Sequence, residues 1–220
     1  MPWNPVARRT PLIVYGAATA VGSFAIKLAT RANIHPIIAI AGAGAHFVET
    51  LINRSEGDSI VDYRHGSEHL IKGIKSALEV ADTRELFYAI DTICAHGSYQ
   101  NISQVLMDGG HITFLHPEKD YSEIPASIEK SVTYVGNLNG DISTDAWLQE
   151  QAKKGFAING RDFGLIWSRL FTSGLQDGWL KGHPYEVLPG GLNALSRGLS
   201  NLRDGKASAV KYVYRIADTT

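Results

Sequence analysis

The sequence predicts an α/β chain: a doubly wound parallel sheet with a helix and a strand appended at its C-terminal end. Three observations predict it. Short apolar runs without alternation, such as Leu12-Ile13-Val14-Tyr15 and Ile37-Ile38-Ala39-Ile40, read as strands buried on both faces. Segments with helical apolar spacing follow most of these runs, and such alternation builds parallel crossovers. Small turn residues, among them Gly16, Gly42-Ala43-Gly44 and Gly109-Gly110, separate the two kinds of segment.

The first strand, 11–15, leads through the small residues 16–22 into a helix with apolar positions 25, 26, 28, 29 and 32. A second strand at 35–41 precedes a helix through Phe47, Val48, Leu51 and Ile52. Residues 58–63 form the third strand, and the apolar pattern at 70, 71, 74, 77 and 78 is a helix lying on one face of the sheet. The fourth strand, 86–93, is followed by a short helix through Ile102, Val105 and Leu106. The glycine pair at 109–110 then introduces a fifth strand, 111–115, closed by Pro117. A sixth strand is expected at 131–136. Residues 141–160 are polar and glycine-interrupted, which reads as a loop or lid. Helical spacing returns over 163–175 and again around 192–202, and 210–216 alternates like a half-buried strand.

A chain of 220 residues can bury a full core. With 21 Lys and Arg against 22 Asp and Glu it offers no basic stripe for nucleic acid. No apolar stretch approaches the ~20 residues of a membrane span, and Met1-Pro2-Trp3-Asn4-Pro5 lacks the apolar core of a signal peptide, so a cytoplasmic protein without a membrane partner is expected. One cysteine, Cys94, excludes an internal disulfide and suits a reducing compartment. It has no charged neighbour in sequence and reads as a small buried residue rather than a nucleophile. The eight histidines show no ligand spacing with carboxylates or thiols on one element, so no metal is expected. A Gly-x-Ser-x-Gly elbow and a Gly-Lys-Ser/Thr phosphate loop are both missing from the sequence.

The turn Gly16-Ala17-Ala18-Thr19-Ala20-Val21-Gly22 carries the functional argument. Small side chains between a buried strand and a helix let the backbone approach a pyrophosphate, whose charge then rests on free N–H groups at the positive end of the helix. At the Gly-x-Gly-x-x-Gly spacing the chain has Ala17, Thr19 and Gly22, so only the glycine that permits close packing of helix and strand is kept. Ala17 and Thr19 fit if neither needs a positive φ, and Thr19 can cap the helix. An ordinary turn with no ligand is the plain alternative. The tip of the second strand, 41–46, holds no carboxylate to grip a ribose diol, which favours NADP(H) over NAD(H). His46, Tyr63 and Arg64 are the candidates to meet a 2′-phosphate.

Several separated motifs then act together: residues 14–22, Val61-Asp62-Tyr63-Arg64, Ala89-Ile90-Asp91-Thr92, Gly109-Gly110, and the tail 202–214 with its Arg203-Asp204-Gly205-Lys206. In this order they resemble a medium-chain dehydrogenase/reductase, most similar to the zinc-independent quinone oxidoreductases and the fungal trans-acting enoyl reductases. The resemblance implies a Rossmann-type core over 11–140, an extension at 1–10 and a loop, helices and final strand over 141–220. It implies that Ala17, Ala18, Thr19, Ala20, Val21 and Gly22 hold the pyrophosphate, with Gly42 at the strand tip and His46 in the place of the family's basic residue. Tyr63 would lie along the adenosine. Thr92, Ile93 and Cys94 would line the cleft, and Phe114, Leu115, His116, Tyr134, Val135 and Gly136 would lie near the nicotinamide.

The activity so implied is hydride transfer from a nicotinamide to a small quinone, enone or enoyl acceptor, in a homodimer. No side chain stands out as a proton donor. Members of the family place a GroES-like catalytic domain ahead of this core, and the chain begins almost at the first strand, so much of the substrate pocket and the usual partner of the final strand are expected outside it. A non-catalytic nucleotide-binding or dimerisation module is the competing expectation.

Overall fold

The computed structural model describes residues 1–133, 135–138, 146, 149–150 and 161–219. Six parallel strands make the main sheet: β1 (Leu12–Tyr15), β2 (Ile37–Ala41), β3 (Ser59–Asp62), β4 (Tyr88–Asp91), β5 (His111–Phe114) and β6 (Glu129–Val132). Their order is β3-β2-β1-β4-β5-β6, so the chain winds outward from β1 to β3 and then returns to lay β4 on the other side of β1. The switch point therefore falls between β1 and β4, where ligands of open α/β sheets bind.

Alternate residues of each strand feed opposite layers. Leu12, Val14, Ile37 and Ala39 pack with Ile26 and Ala29 of α1 (Ala20–Arg31) and Val48 of α2 (Ala45–Glu49). Ile13, Tyr15, Ile38 and Ile40 pack instead with Leu70, Ile74 and Leu78 of α3 (Ser67–Val80) and Ile102 of α4 (Ser98–Ser103). Two covered faces explain the unbroken apolar strands.

At the amino ends of the strands a buried carboxylate ties β2 to β3. Asp58 accepts from the N–H of Ile37 at 2.7 Å, the N–H of Asn53 at 2.8 Å and Nδ1 of His35 at 2.8 Å. Three donors on a carboxylate that is almost wholly buried satisfy a charge otherwise costly to desolvate.

Beyond residue 160 the chain forms α5 (Arg161–Gln176), β7 (Tyr185–Val187), α6 (Leu195–Arg203) and β8 (Lys211–Val213). β7 and β8 pair in parallel as a separate two-stranded sheet, with α6 as the crossover.

Several expectations are corrected. The sixth strand lies at Glu129–Val132, not 131–136, and Val135–Leu138 is a 3-10 turn. Its partner β5 ends at Phe114, so the ladder runs out once Thr133 N–H has reached the Phe114 carbonyl. The final strand is shorter than expected, and its partner is β7, which the sequence reading did not foresee. The helix after β2 stops at Glu49, leaving Leu51 and Ile52 packed from beyond its end, and α4 stops before Val105 and Leu106. The 141–160 lid and Tyr134 lie outside the described residues, apart from residues 146 and 149–150.

Candidate functional site

The turn after β1 is built by a chain of directed hydrogen bonds. Gly16 takes a left-handed φ of 78°. Its N–H and that of Ala17 both reach the Ile40 carbonyl, at 3.1 and 3.0 Å, pinning the turn to β2. Thr19 caps α1, its Oγ1 accepting from Gly22 N–H at 3.0 Å. Thr19 Oγ1 also lies 3.1 Å from Thr92 Oγ1, and Thr92 Oγ1 donates to the Tyr15 carbonyl at 2.9 Å. Each hydroxyl has one hydrogen, so only one order satisfies all three contacts: Gly22 N–H to Thr19, Thr19 to Thr92, Thr92 to Tyr15.

That order leaves the Thr19 hydrogen pointing sideways into the protein. Among the described residues no acceptor takes the N–H groups of Ala18, Ala20 or Val21. These donors sit at the positive end of a 12-residue helix, which behaves as about half a positive charge. A β-carbon on Gly22 would run into the Gly16 carbonyl, and one on Gly16 would run into Thr92 and Ile93. The cradle is thus shaped by close backbone approach at both glycines. Ala17 and Thr19 have no left-handed φ, so they stand without strain where the fuller motif has glycine.

Asp91 organises the loop after β4. Its fully buried carboxylate accepts from the N–H groups of Ile93 and Cys94, each at 2.9 Å, and from Ser98 Oγ at 2.5 Å. So tied, the loop carries Cys94 and His96 with left-handed φ of 53° and 54°. Ile93 is partly exposed at the cleft, whereas the Cys94 side chain turns inward and its thiol reaches the Asp91 carbonyl. Lys119 donates to the Cys94 carbonyl at 2.5 Å and lies over the Tyr99 ring. Burial, then the Asp91 charge, push the Tyr15 phenol up to about 12.

At the tip of β2 the ring of Tyr63 stands on Gly42, whose β-carbon would lie 2.8 Å from it. Tyr63 keeps 47% of its surface exposed and so offers a flat platform beside the tip. Arg64 is committed: Nε reaches Asp62 Oδ1 at 3.0 Å and Nη2 reaches Oδ2 at 2.6 Å. The guanidinium hydrogen bond holds the Asp62 carboxyl down to about 2. Although residues 41–46 contain no carboxylate, β3 thus brings one level with Ala41, already neutralised by its arginine. His46 is exposed on α2.

At the end of β5, Phe114 is fully buried and stacks on Tyr121 at 3.9 Å between centroids, leaving Leu115 half-buried and His116 exposed. Burial, followed by the Cys94 thiol, raises the Tyr121 phenol well above its usual range. Val135 is 72% exposed. The structure therefore brings residues 16–22, Gly42, Tyr63 and Thr92 and Ile93 to the carboxyl edge of the central strands. Cys94 and Phe114 lie beneath that edge, behind the loops.

Sequence reasoning missed Asp91, Asp62 and Lys119 as organisers. An aspartate ending an apolar strand was the available signal for the first two.

No protein-family model matches the chain. Trans-enoyl reductase fsr4 of Gibberella fujikuroi is 41% identical over 192 residues, covering 86% of this chain and 51% of that protein. Trans-enoyl reductase ACTTS2 of Alternaria alternata is 30% identical over 210 residues, covering 93% and 54%. Of solved structures, the CurK enoyl reductase superposes with a TM-score of 0.63 at 14% identity, over 96% of this chain and 56% of its own. The alcohol dehydrogenase of Aeropyrum pernix gives 0.59 at 14% identity, over 95% and 50%. These two likenesses are of fold. The chain spans about half the length of the curated relatives it matches.

The six-stranded parallel sheet with flanking helices is the Rossmann-like α/β fold that the chain shares with these two structures. In sequence, the chain is similar along most of its length to the two trans-enoyl reductases named above.

Proposed function

We propose that the chain binds a nicotinamide dinucleotide, NADP(H) in preference to NAD(H), as the cofactor-holding part of an oxidoreductase acting on a quinone, enone or enoyl group. The observation that carries this reading is the convergence of free N–H groups at Ala18, Ala20 and Val21 in a turn held open by Gly16, Gly22 and Thr92. The residues fit the cofactor. The turn would take the pyrophosphate, the exposed face of Tyr63 the adenosine, and the edge formed by Ile93, Leu115 and His116 the nicotinamide.

A bound reduced nicotinamide supplies a hydride to a polarised acceptor. The work of this chain is then positional. Asp91 and Lys119 fix the loop behind Ile93, and Thr92 keeps the turn at the height of that loop. The relatives' names support a conjugated enoyl acceptor. A free Cys94 supports a reducing, cytosolic setting, and the outer edge of β6, which pairs with no further strand among the described residues, supports association of two copies.

Calorimetric titration with NADPH and NADH, followed by NADPH oxidation over a panel of enones, enoyl thioesters and quinones, tests the reading. Binding with turnover is the expected result. Binding without turnover across the panel would make the chain a nucleotide-binding module, and no binding of either dinucleotide would end the proposal.

A further inference from the structure

Residues 204–210 link α6 to β8, and they cross the candidate site on the way. A β-carbon built on Gly44 would stand 3.3 Å from Ser208 Oγ and 3.2 Å from the Ala209 methyl, and it would also run into the methyl of Ala18. Three segments remote in sequence therefore meet at one place: the turn after β1, the loop after β2 and the C-terminal tail. In a sheet of this order that place lies beside the ribose which carries a 2′-hydroxyl or a 2′-phosphate.

The tail arrives there rich in donors. Among the described residues nothing accepts from the N–H groups of Ser208, Ala209 and Val210, and the exposed Ser208 hydroxyl has no partner. Ala209 holds a left-handed φ of 55°. That conformation disfavours a non-glycine residue, and in a turn it aims successive N–H groups into one concavity suited to an anion. The far end is anchored, because Lys211 N–H reaches the Pro184 carbonyl at 2.9 Å.

Charge favours the same ligand. Lys211 lies three residues beyond Ser208, and the fields of Lys27 and Lys211, after burial, lower the His183 pKa; Lys206 is paired with Asp204 at 3.6 Å. The carboxylate at the end of β3, Asp62, is taken by Arg64, which also withdraws that arginine as a ready phosphate ligand.

We propose that Ser208, together with the N–H groups of Ser208 to Val210, is the wall of the dinucleotide site that meets a phosphorylated ribose. The C-terminal tail, rather than the tip of β2, would then distinguish a 2′-phosphate from a 2′-hydroxyl. This inference rests on the dinucleotide reading above and adds a specificity-determining residue to it.

The test titrates the full chain and its Ser208→Glu and Ser208→Ala variants with NADPH, NADH and adenosine 2′,5′-bisphosphate. A carboxylate at 208 would repel a 2′-phosphate, so Ser208→Glu should weaken NADPH and the bisphosphate about 10-fold or more and NADH by less than about 2-fold. Ser208→Ala, which removes one hydrogen bond and cannot repel, should weaken NADPH about 3-fold and leave NADH unchanged. Both variants are surface changes, and circular dichroism would verify their folding. Equal loss for both dinucleotides, or no loss in either variant, overturns the inference while the dinucleotide reading stands. Failure of the unaltered chain to bind NADPH and NADH overturns both.

Discussion

The main sheet and the β7-α6-β8 unit are both built from parallel strands and crossover helices, yet they bury their side chains very differently. In the sheet, the central strands are covered on both faces: Ile13 and Ile38, like Ile26 and Ile74 of the helices packed over them, have no exposed surface. In the C-terminal unit, α6 buries Gly198, while Leu195, Leu199 and Leu202 stay 42%, 64% and 51% exposed on its outer side. Gly198 is where the unit closes, since a β-carbon there would collide with the Tyr214 hydroxyl. The sheet is held by many mutually supporting contacts. The appended unit depends on a few close ones, and an error in one of these should cost it alone.

The sharpest way to break the first region is through Asp58. Replacing it with Asn would set an amide N–H₂ against one of three donors in a buried site, and about 3 kcal/mol of stability should be lost in urea unfolding of the whole sheet. Gly198→Val should cost about 1–3 kcal/mol. That loss should appear as raised amide exchange in 185–213, with strands β1–β4 keeping their protection.

A smaller effect joins the two regions. Ser23 Oγ gives its hydrogen to the Ala20 carbonyl at 2.8 Å, so His183 Nδ1 must donate across the 3.1 Å contact to Ser23. Burial first, then Lys27 and Lys211, hold the His183 pKa below 6.5 in the fold. Below that pH the unfolded chain therefore binds the extra proton more readily, and stability falls as the solution is acidified; above it, the contribution is fully present. His183→Gln should flatten this slope in denaturation curves taken from about pH 7.5 down to about 5.5. Smallest of all, Leu199→Gln should shift stability by no more than about 0.5 kcal/mol, because its side chain already lies in water. A large loss there would show that α6 is not the loosely held element the comparison describes.

The strands that the sequence made legible are those covered on both sides, because their apolar runs need no partner to be recognised. β6 was misplaced because it is an edge: Glu129, Lys130 and Ser131 are polar, and the more apolar residues after Val132 drew the expectation along the chain. β7 left almost no trace, being three residues long, with Pro184 before it and Pro189 soon after. In the site, the roles of Gly22 and Thr19 were readable from local spacing. Those of Thr92 and Asp62 were not, because each acts on a segment that only the fold brings near.

The approach of Gly16 to Thr92 and Ile93 has a consequence for anyone altering this protein. With no room for even a methyl group between them, the turn after β1 and the loop after β4 cannot be redesigned independently. Substitutions on the two sides should be non-additive in a double-mutant cycle, so any transplant of one segment has to carry the other with it.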